Sequence, residues 1–163
     1  MYEGWQFEKW ETPVSHAKSL AMVSLIDDGR LAVILQDLRD ARHRRHQFIF
    51  SNCVAYRNIL EEYRMELWKR LDDSRQRCGW TLLVPNSKWV EELRLAEPVL
   101  EATHPALFHY LICTEDDVIE ILTPSSPTIK EIESGTESES VGKSSVYYHP
   151  EDKRKINRVI RKE

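Results

Sequence analysis

The sequence predicts an α+β domain. The expected form is a mostly antiparallel sheet of about six strands with two helices packed on it, followed by a disordered linker and a short basic C-terminal helix. Three observations carry this reading. Asp27-Asp28-Gly29 separates two apolar runs, as a tight hairpin turn does, because Asp and Gly tolerate the positive φ such turns need. Residues 46–71 change from period-2 alternation to spacings of three and four. Residues 107–113 and 118–122 form a second pair of apolar runs around an acidic turn.

Residues 46–71 stand at the centre of this scheme. Phe48, Phe50, Val54 and Tyr56 share one parity, and Ile49, Cys53, Ala55 and Ile59 share the other. A strand apolar on both faces is central in its sheet or covered on both sides. Ser51-Asn52 interrupts the pattern, and we read it as a β-bulge within one strand in preference to a hairpin turn. Leu60, Tyr63, Leu67, Trp68 and Leu71 then mark one stripe of a helix, to be buried as core. Glu61 and Glu62 sit in its first turn and Lys69 and Arg70 near its end, as the helix dipole favours.

The remaining elements follow in order. Trp5, Phe7 and Trp10 suggest a first strand. Residues 19–26 and 31–38 flank the Asp-Gly turn, and residues 39–46 are too polar for a core and short enough for a strand-to-strand loop. Residues 80–84 read as a buried strand ended by Pro85. Asn86 or Ser87 then caps a second helix carrying Trp89, Val90 and Leu93. Pro98 forces a break near Glu97, with a further helical turn over 99–103. In the last hairpin His109 has the opposite parity to Phe108 and Tyr110, and Glu120 the opposite parity to Ile119 and Ile121.

The domain is expected to span residues 1–124. Residues 125–146 are rich in Ser and Glu and read as a disordered linker, because they hold too little apolar surface to offset ordering entropy. Residues 147–163 read as a basic tail, with Ile156, Val159 and Ile160 on one side of a short helix.

Composition excludes several classes. The formal charge of −4 argues against a chain that coats nucleic acid. Cys53, Cys78 and Cys113 are odd in number and form no C-x-x-C pair, so they read as reduced thiols of a cytoplasmic protein rather than a disulfide framework. The amino terminus lacks the pattern of a signal peptide, and no apolar run approaches the ~20 residues of a membrane span. No phosphate-cradling glycine loop, nucleophile elbow or zinc-protease motif occurs, so no cofactor is expected. His43 and His46 have a metal-compatible spacing, but four arginines around them disfavour a dication, so no metal is expected either.

Two sets of residues stand out as candidate sites. Arg39, Arg42, His43, Arg44 and Arg45 concentrate positive charge in one loop, which suits a protein partner with an acidic surface. This gives the first functional expectation: a small cytoplasmic protein that acts by protein–protein interaction, as a regulatory or toxin-neutralising partner, without catalysis. Tyr56, Arg57, Glu61, Glu62 and His109 are the polar groups near the strand–helix junction. They give the alternative of a pocket for a small ligand or an enzyme reaction. A nucleic-acid role through the arginine loop and tail is the third reading, disfavoured by the net charge.

Overall fold

The computed structural model describes residues 4–73 and 79–133, together with the backbone of Ser145–Val146. The α+β class holds, but the strands divide between two antiparallel sheets instead of one. The first sheet contains β1 (Glu8–Lys9), β5 (Ala55–Leu60), β6 (Thr81–Leu83), β7 (Phe108–Cys113) and β8 (Asp117–Thr123), in the order β1-β6-β7-β8-β5. The second contains β2 (Leu20–Asp27), β3 (Leu31–Asp37), β4 (Arg45–Phe50), β9 (Thr128–Ile132) and β10 (Ser145–Val146), in the order β10-β2-β3-β4-β9.

The two sheets share one core. Leu25, Val33, Leu35, Phe48 and Phe50 of the second sheet meet Tyr110, Ile112, Ile119 and Ile121 of the first. Phe48 and Phe50 are wholly buried there, and burial of side chains this size contributes about 1.5–3 kcal/mol each. The Asp-Gly hairpin forms as expected, with Asp27 paired to Leu31 and Gly29 at φ +97.

Residues 46–59 are not one bulged strand. β4 ends at Phe50, Ser51 and Asn52 turn, and β5 begins at Ala55 in the other sheet. The Val54 amide bonds the Leu122 carbonyl at 2.8 Å, which fixes the crossing. The double-sided apolar pattern therefore has another cause. Each half lends one face to the shared core, Phe48 and Phe50 from one sheet and Tyr56 from the other.

The first helix also starts later than expected. Leu60 ends β5, Glu61–Tyr63 forms a 3-10 turn, and α1 runs over Met65–Asp73. Tyr63 is 72% exposed, so it leaves the expected stripe. Leu67, Leu71 and the half-buried Trp68 remain, packed with Trp5, Phe7, Leu82, Leu111 and Val118 on the outer face of the first sheet. Helix α2 (Lys88–Ala96) is capped by Ser87, whose side chain accepts from the Val90 amide. The chain breaks at Glu97, and α3 (Val99–Thr103) follows.

The expected linker is corrected at one end. Thr128–Ile132 is strand β9, antiparallel to β4, with Phe48 opposite Ile129 and Arg45 opposite Ile132. Ile129 packs against the core between the sheets. The two isoleucines of β9 are three residues apart, so the strand carries no period-2 signal beside the Ser- and Glu-rich composition that follows. Residues 134–144 and the expected basic helix of 147–163 lie outside the described residues. Ser145 and Val146 pair through the backbone with Ile26 and Leu25.

Candidate functional site

Two places gather functional side chains. The first is on the outer face of the first sheet, where β5, β7 and β8 run side by side. Antiparallel register sets Arg57 of β5 directly opposite Glu120 of β8. Residues paired this way point to the same face. Glu120 is completely buried. Its Oε2 accepts from Arg57 Nε, and its Oε1 accepts from Nη2 of Arg64, which stands between the 3-10 turn and α1. Arg64 is 3% exposed, whereas the Arg57 side chain is 29% exposed and lies over the Trp89 ring at 4.3 Å from its centroid.

His109 stands beside this triad on β7. Its ring meets Trp5 and Trp89 edge-on, at 5.2 and 5.5 Å between centroids. Its Nδ1 lies 2.8 Å from Ser87 Oγ. Because that oxygen already accepts from the Val90 amide, its own proton is available to Nδ1. That arrangement leaves the ring proton on Nε2, 3.9 Å from Glu120 Oε2. Burial, and then the charges of Arg57 and Arg64, push the His109 pKa down to about 3.

Serine, imidazole and carboxylate thus stand in a row, the order of a proton relay. The chemistry of this row is poor for that task. An imidazole of such low basicity does not take up a serine proton near neutrality. The carboxylate is engaged by two guanidinium groups, and its distance to the ring exceeds a hydrogen bond. Ser87 is 5% exposed and occupied as a helix cap. What the row does well is join β7 and β8 to α1 and α2 through one charge cluster.

Of the pocket candidates, Arg57 and His109 belong to this cluster. Tyr56 packs on the opposite face, against the core between the sheets. Glu61 and Glu62 lie on the 3-10 turn. Glu62 is exposed and hydrogen-bonds Tyr63, which raises the Tyr63 pKa. The glutamate that meets Arg57 is Glu120. Its signal in the sequence was a lone acid at outward parity inside an apolar strand. Arg64 had no such signal, because it sits where β5 hands over to α1.

The second place is the loop between β3 and β4. Two aspartates shape it. Asp37 accepts the amides of Lys18, Ser19 and Arg39 at 3.0, 3.2 and 3.0 Å. Burial works against its charge, but these amides outweigh it and hold Asp37 below its usual pKa. Asp40 accepts the Arg44 Nε at 2.8 Å and the amides of Arg42 and Arg44 at 3.2 and 3.3 Å. The Arg44 side chain, then these amides, bring the Asp40 pKa down to about 2. His43 takes a positive φ of 52, and its amide bonds the Asp40 carbonyl at 2.9 Å.

The five loop candidates therefore divide. Arg44 is committed to Asp40, with Glu131 at 4.0 Å, and Arg45 Nε donates to Gln36 at 3.1 Å. Arg39, Arg42 and His43 are exposed. Among the described residues the Arg39 and Arg42 guanidinium groups have no carboxylate within salt-bridge distance. His46 is separated from His43 by its burial in β4, where Glu131 is 3.8 Å away. Among the described residues, no group of three His, Cys, Asp or Glu side chains has metal-binding geometry. No helix among them is long and apolar enough to cross a membrane.

No protein-family model, curated protein or solved structure gives a significant match to this chain.

Proposed function

We propose that this protein acts by binding a partner protein with an acidic surface, through the β3–β4 loop, as a regulatory or neutralising partner in the cytoplasm. One observation carries the reading. Asp37 and Asp40 hold the loop backbone through the amides of Arg39, Arg42 and Arg44, and Asp37 also ties it to the Lys18 and Ser19 amides, while Arg39 and Arg42 are exposed with no carboxylate partner among the described residues. A loop ordered before binding loses little conformational entropy on docking, so its contacts convert more fully into affinity. Arginine suits the task because its planar fork matches a carboxylate. The thiols support the compartment: Cys53 and Cys113 are free, and burial raises their pKa values to about 11 and 12, the inert state expected of reduced structural cysteines.

The test is affinity capture from the native cell with the full chain and with the double variant Arg39→Ser/Arg42→Ser. The reading expects a specific protein that the wild type retains and the variant loses at unchanged stability. An identical captured set rejects it. Retention of nucleic acid instead, released steeply by salt, transfers the loop to a phosphate backbone.

A further inference from the structure

The β3–β4 loop repeats itself every three residues. Asp37-Leu38-Arg39 and Asp40-Ala41-Arg42 are the same unit twice: an aspartate, an aliphatic residue and an arginine. The backbone repeats with the sequence. The Asp40 amide bonds the Asp37 carbonyl at 3.1 Å, and the His43 amide bonds the Asp40 carbonyl at 2.9 Å. Two β-turns therefore follow one another and share Asp40. In each turn the leading aspartate also accepts, through its side chain, the amide two residues on. Asp37 takes the Arg39 amide at 3.0 Å, and Asp40 takes the Arg42 amide at 3.2 Å.

Arg39 and Arg42 thus hold the same place in successive turns, and both are exposed. Three residues apart in the chain, their Cα atoms are separated by no more than about 10 Å. The two carboxylates of the loop face its own amides and Arg44, so they do not neutralise this pair. Leu38 stands directly before Arg39. Its amide bonds the Ser19 carbonyl at 2.8 Å, and Asp37 holds the amides of Lys18 and Ser19 beside it. Although its backbone is tied down, the Leu38 side chain is 55% exposed. A leucine held in this way gains from burial against an apolar group without first having to be ordered.

These positions describe a ligand. Each guanidinium fork matches one carboxylate, so the pair takes two carboxylates that lie close together. Alternate residues of an extended strand are about 7 Å apart on one face. Residues three or four apart on a helix are about 5–6 Å apart. Two acidic residues within four positions of one another meet this condition, and carboxylates scattered over a surface do not. Leu38 adds a place for an apolar side chain beside them, which a row of phosphates does not supply. The net charge of −4 also works against a phosphate backbone.

We propose that the β3–β4 loop recognises a short acidic motif in its partner: two Asp or Glu residues within four positions, with a large apolar residue between or beside them. Arg39 and Arg42 each take one carboxylate, and Leu38 takes the apolar side chain. This rests on the loop being the binding surface, and it narrows the partner from an acidic surface to a local stretch of sequence.

The experiment is a fluorescence-anisotropy titration of the full chain, at low salt, into two labelled peptides of identical composition and charge. One carries Glu-Leu-Glu at its centre. The other carries the two glutamates at its opposite ends, with the leucine in the middle. A labelled single-stranded oligonucleotide of similar length is the third probe. The paired peptide is expected to bind about ten-fold more tightly than the dispersed one. Arg39→Ser and Arg42→Ser should each bring it to the level of the dispersed peptide, and Leu38→Ser should weaken it about three-fold, all at an unchanged melting temperature. Equal binding of the two peptides overturns the motif and leaves the loop as a general binder of acidic surfaces. Binding of neither peptide also overturns it, and the set of proteins captured by the double arginine variant then decides whether the loop reading falls too. Tighter binding of the oligonucleotide overturns it in favour of phosphate. An unchanged affinity for Leu38→Ser removes the apolar residue from the motif.

Discussion

The Arg57 guanidinium lies over the Trp89 ring while its Nε donates to the buried carboxylate of Glu120. One side chain thereby links the edge strand β5, its neighbour β8 and helix α2. A cation over an aromatic face adds about 0.5–2 kcal/mol as it is desolvated. The same arginine is the outermost member of a charge cluster whose other members, Glu120, Arg64 and His109, are closed off from water.

Removal of Glu120 takes away the buried carboxylate that both Arg57 and Arg64 bond. Glu120→Ala is expected to cost about 3–5 kcal/mol in chemical denaturation, the range for breaking a buried pair. Arg57→Ala is expected to cost less than Arg64→Ala, because the Arg57 side chain retains 29% exposure against 3% for Arg64. Equal losses would show that burial does not set the strength of these contacts.

The pH dependence of stability follows from His109. Its pKa is depressed in the folded chain to about 3, from an ordinary 6.5. As pH falls below 6.5 the unfolded chain takes up this proton and the folded chain does not. The stability it contributes is complete above that pH and declines steadily toward pH 3. Each pH unit in that window removes about 1.4 kcal/mol. His46, lowered chiefly by burial, acts in the same direction. Denaturation of wild type and His109→Gln between about pH 6 and 4.5 should differ in slope by one proton.

Ser87 holds both the start of α2 and the His109 ring. Ser87→Ala should lower stability by about 1–2 kcal/mol, the range of a lost helix cap, with the orphaned imidazole adding to it. Ser87→Thr keeps the hydroxyl and should recover most of the loss. A Thr variant as unstable as Ala would mean that the hydroxyl is not what matters.

Gly79 has φ +84, and a Cβ there would lie 2.3 Å from the Ser15 carbonyl oxygen. Both the backbone angle and the close approach require glycine. Gly79→Ala is expected to lower the melting temperature clearly, while Gly29→Ala, also at positive φ but in open space, should cost less.

Local patterns in the sequence reported local structure well. The Asp-Gly hairpin, the cap expected at Asn86 or Ser87 and filled by Ser87, and the break near Glu97 depend on neighbouring residues, and all three formed. The partition into two sheets depends on which strand meets which. Ser51-Asn52 has the same composition whether it bulges a strand or carries the chain from one sheet to the other. β9 was missed because Ile129 and Ile132 fall on opposite faces of the strand, so Thr128–Ile132 shows no period-2 pattern, and the composition of residues 125–146 is that of a linker. The site was legible in part. The outward parity of Glu120 and His109 was visible, but Arg64 enters from a turn, and nothing in spacing brings it to β8. In the loop, charge density was plain, whereas the commitment of Arg44 to Asp40 required the folded backbone.

We propose that the ordered β3–β4 loop binds its partner through Arg39 and Arg42. The most direct test is titration calorimetry of the full chain against the purified protein it captures, for wild type and for Arg39→Ser/Arg42→Ser. The variant is expected to bind at least ten-fold more weakly, a loss of about 1.4 kcal/mol or more. The melting temperature should stay nearly constant, as for exposed substitutions. Equal affinity at equal stability would contradict binding through these two arginines.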